Sequence, residues 1–221
     1  MINEYKQYVT LQSFLNNPNI FDKFKKSIVS ANKRLLDIGC GLPGHSAIFQ
    51  KCFLLDEVYL VDLRNELECL QYGLKDVDEK VFELVKSSKS IWEWYEKISL
   101  NGYLDVLPIK VKNKIETEKK FNEIFKLHMG SDITDFFEEN DKMYDVVLAI
   151  NIFHLLDQEN AKNVFIKSKA RLKSEGLYFI RYQGDGQSPN DMQFRDLVFE
   201  LFETGSMFYF PGGFFFVNST F

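Results

Sequence analysis

An aspartate followed by three closely spaced glycines is the most informative group of residues in this sequence. Asp37 lies near the end of an apolar run, and Gly39, Gly41 and Gly44 come directly after it. Glycine reaches positive φ at low cost and lets the backbone approach a ligand with no Cβ in the way. A buried strand that stops at these glycines therefore predicts a site for a nucleotide-like ligand.

The same glycines satisfy the GxGxxG spacing of dinucleotide-binding loops. Asp62 follows Gly44 at about the distance, roughly 20 residues, at which that pattern has an acid for the ribose hydroxyls. The spacing alone is compatible with a nicotinamide-dependent oxidoreductase. Asp37 argues against that class, because a dehydrogenase usually has no carboxylate there and an acid in this position suits a cationic ligand.

Four segments resemble, in order and spacing, the successive motifs of class I S-adenosylmethionine-dependent methyltransferases. They are residues 35–45, 58–62, 131–137 and 144–156. The resemblance implies a Rossmann-like fold, S-adenosyl-L-methionine as the cofactor and methyl transfer as the activity. It does not identify the methyl acceptor.

This resemblance assigns Asp37, Gly39, Gly41 and Gly44 to the amino-acid half of the cofactor. Asp37 would attract the methionine ammonium group directly or through water. The loop departs from the family's commonest GxGxG spacing, because it has one more residue before Gly44 and contains Pro43. Proline lacks a backbone N–H, so this loop can present fewer amides than usual.

The later motifs imply the other cofactor contacts. Asp62 would accept hydrogen bonds from both ribose hydroxyls, and Leu63 would lie beside the adenine. Asp132 would lie near the adenine amino group, with the backbone amide of Ile133 at a ring nitrogen. Asn151 begins a stretch similar to the Asn-x-x-His segment of many small-molecule methyltransferases, where the methyl group would meet its acceptor.

Each of these acids also has a structural interpretation. Asp37 and Asp62 could cap the helices that follow them. Asp132 precedes an apolar pair in a sequence typical of a helix start, and capping there is compatible with a cofactor contact.

His154 is the candidate catalytic base, since a neutral imidazole can take a proton from a hydroxyl or amine acceptor. A histidine hydrogen-bonded at the end of the fourth strand is an equal alternative. Methyl transfer can also proceed mainly by alignment of the reactants, so a base is not required. Arg181 or Tyr182 could contact the acceptor, or Arg181 could pair with a carboxylate at the edge of the sheet.

The composition of the chain limits the classes of protein and of partner that are compatible with it. A chain of 221 residues with 45% hydrophobic residues suits one globular domain over residues 1–221. A net charge of -5, with both signs interspersed, disfavours a nucleic-acid partner. In the methyltransferases that this chain resembles, an Asn/Asp-Pro-Pro-Tyr/Phe pattern is associated with methylation of nucleobases and glutamine. Its absence here disfavours those acceptors, and hydroxyl, amine and carboxyl groups of small molecules stay open.

The three cysteines form no CxxC pair, which predicts a reducing compartment, with neither disulfides nor a metal site. A polar N-terminus and short apolar stretches indicate neither secretion nor membrane insertion, so we expect a cytoplasmic protein. The oligomeric state stays open.

Short apolar runs alternate with longer amphipathic ones, as in a parallel sheet with crossover helices. The predicted strands are residues 34–38, 57–61, 124–129, 144–150, 177–182, 207–210 and 214–218. A Pro-Gly-Gly turn joins the last two into an antiparallel hairpin. The predicted fold is a Rossmann-like three-layer α/β sandwich around a mostly parallel seven-stranded sheet.

Two further segments are predicted to be helical. Residues 1–33 would form an N-terminal cap, and residues 64–123 are far longer than a crossover requires and would form a helical insert. Trp92 and Trp94 occur where the insert has helical spacing. The insert could form a lid or a wall of the acceptor pocket, or its aromatic residues could only pack it against the body. A protein of this fold that binds the cofactor as a scaffold, without transferring methyl groups, is the alternative function.

Overall fold

The computed structural model describes residues 22, 31–73, 79–100, 114–183, 189–202, 204–210 and 213–218. The predicted N-terminal cap over residues 1–33 lies almost wholly outside the described residues. The same is true of the turn at residues 211–212 and of the insert at residues 74–78 and 101–113.

Seven strands of the described chain form one sheet. They are β1 (Arg34–Ile38), β2 (Glu57–Asp62), β3 (Phe125–Met129), β4 (Tyr144–Ile150), β5 (Leu172–Gln183), β6 (Ser206–Phe210) and β7 (Gly213–Val217). Their order is β3-β2-β1-β4-β5-β7-β6. The first five strands are parallel, whereas β7 runs antiparallel to both β5 and β6. The predicted mostly parallel sheet with a C-terminal antiparallel hairpin is confirmed.

The limits of β1 and β4 match the prediction, the other strands differ from it by one residue at one or both ends, and the start of β5 differs by more. The third strand begins at Phe125 because Ile124 still belongs to the preceding helix. The fifth strand begins at Leu172, where Leu172 pairs with Tyr144 before the register shifts. This part of the strand was not predicted, because polar residues follow Leu172 and strand prediction depends on apolar periodicity.

Helices cover both faces of the sheet, as a parallel sheet with two buried faces requires. The helices over the first face, in chain order, are α1 (Gly44–Phe53), α2 (Glu66–Gly73), α3 (Glu79–Val85), α4 (Ile91–Leu100) and α5 (Lys114–Ile124). Those over the second face are α6 (Ile133–Glu139), α7 (Gln158–Ala170) and α8 (Pro189–Leu201), with a short 3₁₀ helix at Phe153–Leu155. The predicted three-layer arrangement is confirmed.

The aromatic residues of the insert belong to the core on the first face. Trp92, Trp94 and Tyr95 in α4 are buried, and the rings of Trp92 and Tyr95 contact Phe121 in α5 at centroid distances of 5.3 and 4.9 Å. The predicted helices of the insert are confirmed in its described parts. Packing against the body accounts for these aromatic side chains.

The direction in which the chain crosses the sheet reverses beside β1. The chain moves from β1 to β2 and β3 on one side, and then continues at β4 on the other side of β1. The loops that follow β1 and β4 therefore lead to opposite faces and leave a crevice at the carboxyl edge of the sheet. Open α/β sheets bind their ligands at this place.

Among the described helices, none combines the length and the apolar character that a membrane span needs.

The opposite edge of the sheet is held by a buried acid, Asp145. Its carboxylate accepts a hydrogen bond from the backbone N–H of Arg34 at 2.8 Å, and it accepts from Nζ of Lys173 at 2.8 and 2.9 Å. Asp145 thus joins the first residue of β1 to β4 and β5. It is a structural residue, remote from the carboxyl edge.

Replacing this acid with alanine should destabilise the fold. Asp145→Ala is expected to lower the free energy of unfolding by about 2 kcal/mol, because hydrogen bonds to a charged partner are lost and the N–H of Arg34 is left without its acceptor. Urea denaturation measures the change. Asp196→Ala, which removes a surface ion pair with Arg195, is the control and should change stability by less than about 0.5 kcal/mol. Equal effects of the two substitutions would contradict this role.

Candidate functional site

Backbone hydrogen bonds join three of the motif loops at the carboxyl edge of the sheet. The N–H of Gly39, after β1, donates to the carbonyl of Val61 at 2.8 Å. The N–H of Gly130, after β3, donates to the carbonyl of Arg64 at 3.0 Å, and that of Ser131 donates to the carbonyl of Asp62 at 3.1 Å. Three of the four segments that resemble methyltransferase motifs are thus contiguous in space, and the fourth is joined to the first by the pairing of β1 with β4.

The glycine loop needs glycine at two of its three positions. Gly39 and Gly41 have φ of 65° and 54°, in the left-handed region. A Cβ on Gly39 would also overlap the side chain of Ile152, which approaches from the loop after β4. Gly44 is different, because it begins α1 after Pro43 and is not among the residues with positive φ.

Asp37 is a buried carboxylate with one satisfied oxygen. The side chain is 2% exposed, and its Oδ2 accepts a hydrogen bond from the hydroxyl of Ser46 in the first turn of α1. No donor among the described residues reaches Oδ1. Burial raises the pKa of Asp37 to about 7, aided by the nearby negative charge of Asp62 and opposed by the Ser46 hydroxyl. A buried oxygen without a donor is costly, and a cationic N–H donor from a ligand would satisfy it.

This geometry decides against helix capping by Asp37. The residue before α1 is Pro43, and no side chain caps that helix. Asp37 instead accepts a hydrogen bond from a hydroxyl on the helix, and its second oxygen is buried without a donor among the described residues.

Asp62, in contrast to Asp37, accepts hydrogen bonds at both carboxylate oxygens. Its Oδ1 accepts from the backbone N–H and from Nε of Arg64, each at 2.9 Å. Its Oδ2 accepts from the N–H of Gly41 at 2.8 Å and from Nη2 of Arg64 at 2.9 Å. Burial alone would raise the pKa of Asp62, but the hydrogen bonds from Arg64 and Gly41 outweigh it and hold the pKa below its ordinary value.

Two apolar groups flank this ion pair. The guanidinium of Arg64 lies 4.4 Å from the centroid of the Tyr72 ring, in cation–π contact. Leu63, between the two charged residues in the chain, is 71% exposed. An exposed leucine directly after a buried strand is available to contact a flat apolar ligand group.

Asp132 caps α6, as the structural interpretation predicted. Its Oδ1 accepts from the backbone N–H of Thr134 at 2.7 Å and from the Thr134 hydroxyl at 2.6 Å. These hydrogen bonds lower the pKa of the carboxyl. Ile133, the first residue of α6, is half-buried against the core of the second face.

The loop after β4 is tied to β5. Asn151 has a left-handed φ of 56°, unusual for a residue other than glycine. Its N–H donates to the carbonyl of Arg181 at 2.8 Å, and its side-chain oxygen accepts from Nη1 of Arg181. Arg181 is 3% exposed, and burial lowers its pKa to about 10, so its guanidinium still carries a charge at neutral pH.

Two histidines lie within the electrostatic reach of Arg181. His154 is in the 3₁₀ helix, with its ring edge-on to that of Tyr182 at 6.3 Å, and no hydrogen bond joins it to another described residue. Burial and the charge of Arg181 lower its pKa. His45, buried in α1, has its pKa lowered to about 3 by burial and by the same charge. Both imidazoles are mainly neutral at pH 7, and burial together with the charge of Arg181 makes His154 a weaker base than an isolated histidine.

The structure brings the predicted residues to one edge of the sheet and adds three that sequence reasoning missed. The residues that it missed, each of which contacts or lies beside a predicted one, are His45, Ser46 and Arg64. The position of Arg64 offered a signal, because a residue two places after an acid can return its side chain to that acid. No comparable spacing pointed to Ser46.

Comparison with known proteins supports the fold. No family model and no curated protein sequence matches the chain. Among solved structures it is similar to an O-methyltransferase family protein from Burkholderia thailandensis, with a TM-score of 0.52 and 10% identity, over 93% of this chain and 60% of that one. This likeness shows that the chain has the fold of that family, as the resemblance of its motifs predicted.

Two further structures are less similar. One is precorrin-6y C5,15-methyltransferase from Geobacter metallireducens, with a TM-score of 0.44 and 9% identity, over 91% of this chain and 87% of that one. The other is PKMT2 from Rickettsia typhi, with a TM-score of 0.42 and 15% identity, over 78% of this chain and 26% of that one. The chain thus spans 60% of the length of the Burkholderia protein and 26% of that of the Rickettsia protein.

The buried acid predicts a pH dependence of stability. The pKa of Asp37 rises from 3.8 to about 7 on folding, so the folded chain retains a proton that the unfolded chain releases between these values. The stability of the wild type relative to Asp37→Asn should therefore fall as the pH rises from 3.8 to about 7, by up to about 1.4 kcal/mol per pH unit, and level off at higher pH.

Urea denaturation at a series of pH values from about 5 to about 8 measures this difference. Ser46→Ala is the matched variant, since losing the hydroxyl that favours the charged form should raise the pKa of Asp37 and move the end of the loss to higher pH. A difference between wild type and Asp37→Asn that does not vary with pH would contradict the raised pKa.

Proposed function

We propose that the chain is an S-adenosylmethionine-dependent methyltransferase that acts on a small-molecule acceptor. The observation that carries the proposal is the buried Oδ1 of Asp37. It lacks a donor from the described residues and lies beside two left-handed glycines at the point where the strand order reverses. A cationic ammonium group on a nucleoside-containing ligand fits this oxygen. The fold shared with an O-methyltransferase family protein supports the same class of function.

The first part of the proposed cofactor site lies after β1. Asp37 receives the ammonium group, and the backbone of Gly39, Gly41 and Gly44 surrounds the amino-acid half of the cofactor. The left-handed φ of Gly39 and Gly41 leaves no Cβ between the backbone and the ligand. Gly44 contributes as the first residue of α1, whose N-terminal end favours a carboxylate.

The second part lies after β2, β3 and β4. Asp62 accepts the ribose hydroxyls, and the exposed Leu63 lies against the adenine. Asp132 and the N–H of Ile133 are proposed to recognise the adenine edge, a role that is compatible with the cap because a carboxylate has two oxygens. Asn151 closes the site from the loop after β4.

Methyl transfer at this site depends mainly on orientation. When bound, S-adenosylmethionine supplies an electrophilic methyl group on a sulfonium centre. The residues of the chain hold the acceptor in line with that group and exclude water. His154 is the proposed proton acceptor for a hydroxyl or amine, and its neutral form at pH 7 suits that role, although its lowered pKa makes it a modest base.

The remaining chain is proposed to build the acceptor pocket within one domain over residues 1–221. The insert of residues 64–123 and the N-terminal segment of residues 1–33 would supply its walls. Leu155, which directly follows His154 in the chain, is 65% exposed.

A scaffold protein that binds the cofactor without transferring methyl groups is the second candidate. One observation favours it. Burial and the charge of Arg181 lower the pKa of His154 and weaken it as a base. Binding measurements and turnover measurements together distinguish the two candidates.

Titration calorimetry with S-adenosylmethionine and S-adenosylhomocysteine tests the cofactor. We expect both to bind the wild type, and we expect Asp62→Ala to raise Kd by at least about tenfold, because charge-assisted hydrogen bonds to the ribose are lost. Asp196→Ala, on the surface of α8, is the control and should leave Kd unchanged. The proposal fails if neither ligand binds the wild type.

Turnover is tested by following S-adenosylhomocysteine formation with a panel of small hydroxyl, amine and carboxyl acceptors. Product with any acceptor establishes the transferase. Cofactor binding without product across the whole panel favours the scaffold.

Cofactor affinity should also depend on pH. Because the pKa of Asp37 is about 7 and only its charged form attracts an ammonium group, Kd should fall as the pH rises through about 7. Calorimetry from about pH 6 to about pH 8 measures this change, with proton release on binding at the lower end. Asp37→Asn should bind more weakly and lose this dependence. An identical pH profile in the variant would remove Asp37 from the site.

A further inference from the structure

The carboxylate proposed to bind the ribose already has a partner within the chain. We propose that Arg64 sets the affinity of the site for its cofactor by competing with the ribose hydroxyls for Asp62. This inference rests on the proposed function, because it assumes that a ribose approaches Asp62. It assigns Arg64 a positioning role rather than a catalytic one.

The hydrogen-bonding capacity of Asp62 is fully used. A carboxylate offers about four acceptor positions, and Asp62 accepts four N–H groups at 2.8–2.9 Å. Two of these donors, the backbone N–H groups of Gly41 and Arg64, are held by the loops. The other two, Nε and Nη2 of Arg64, belong to a side chain that can rotate. A ribose diol therefore reaches both oxygens of Asp62 only when the Arg64 side chain leaves.

The same guanidinium also lies close to Gly41 in the glycine loop. Nη2 of Arg64 lies 3.6 Å from the position that a Cβ on Gly41 would occupy. That open side of Gly41 is the surface that the cofactor is proposed to approach. Arg64 thus lies in the way of the ligand at two adjacent points, the ribose acid and the glycine backbone.

The surroundings of Arg64 allow the side chain to leave. About a third of it, 32%, is exposed to solvent, so the guanidinium can be hydrated after release. The ring of Tyr72, 4.4 Å from the guanidinium, offers a cation–π contact that does not require Asp62. Tyr72 is itself half exposed, with 52% of its surface accessible. After release from Asp62, the guanidinium of Arg64 can therefore be stabilised by water and by the Tyr72 ring, and it is not left as a buried, unpaired charge.

Competition of this kind raises the measured Kd, and the increase is steeper the smaller the fraction of molecules in which Asp62 is accessible. The measured Kd equals the intrinsic value divided by the fraction of molecules with Asp62 accessible. Removing the guanidinium should therefore lower Kd, by about tenfold if the pair is closed about nine-tenths of the time. The gain should be larger for S-adenosylmethionine than for S-adenosylhomocysteine, because the sulfonium adds a positive charge that an unpaired Asp62 attracts.

Calorimetric titration of Arg64→Ala and Arg64→Gln with both ligands tests the inference. We expect Kd for S-adenosylhomocysteine to fall about tenfold in Arg64→Ala and by less in Arg64→Gln, which keeps a neutral donor. Arg195→Ala is the matched control, since it removes the same charge from a surface pair with Asp196, and its Kd should equal that of the wild type. The unliganded Arg64→Ala should also be less stable than the wild type, because Asp62 loses its partner.

The results of these titrations distinguish failure of the inference from failure of the proposed function. A lower Kd in the Arg64 variants than in the wild type supports the inference. An equal or higher Kd in the variants, with binding by the wild type, overturns the inference and leaves the proposed function intact. No binding by any form overturns both.

A crystal structure of the wild type with S-adenosylhomocysteine provides a second measurement that requires no variant to fold. The guanidinium should have left at least one oxygen of Asp62, with a ribose hydroxyl in its place. A structure in which Arg64 still donates to both oxygens beside a bound ribose would overturn the inference.

Discussion

The parallel pairing of β1 with both β2 and β4 is the constraint on which the rest of this structure depends. Asp37 is paired with Leu60 on one side and with Leu148 on the other, so it lies on a central strand between apolar residues. The chain also reverses its direction across the sheet beside β1, which opens the crevice at the same edge. Burial of an acid and access for a ligand thus come from one arrangement of strands.

The pKa values of the two carboxylates at this edge are shifted in opposite directions, because the two carboxylates accept hydrogen bonds from different donors. Asp37 receives one hydroxyl, and burial raises its pKa to about 7. Asp62 receives four N–H groups, and its pKa lies below the ordinary value. A buried acid with spare capacity attracts a cation, whereas a saturated acid must first lose a donor. The affinity of the proposed site for its ligand therefore depends on partners as much as on the acids themselves.

Most of the fold was predictable because it depends on local apolar periodicity. The strands at β1 and β4 match their predicted limits, and the helices of the insert follow the spacing that includes Trp92 and Trp94. The start of β5 was missed because polar residues after Leu172 interrupt that periodicity, although the strand still pairs with Tyr144. The cap at Asp132 was predicted because capping is local, involving residues within one turn.

The sequence by itself determined the order of the elements, the left-handed glycines and the acids that come together at one edge of the sheet, since these depend on residue types at short spacing. Only the tertiary structure decided which donor each acid receives. Ser46 reaches Asp37 because α1 packs beside β1, and Arg64 returns to Asp62 because the loop after β2 turns there. The direction of a side chain after a strand ends depends on how the loops pack. Residue spacing does not encode that direction, so only the three-dimensional structure reveals that Arg64 donates to both oxygens of Asp62.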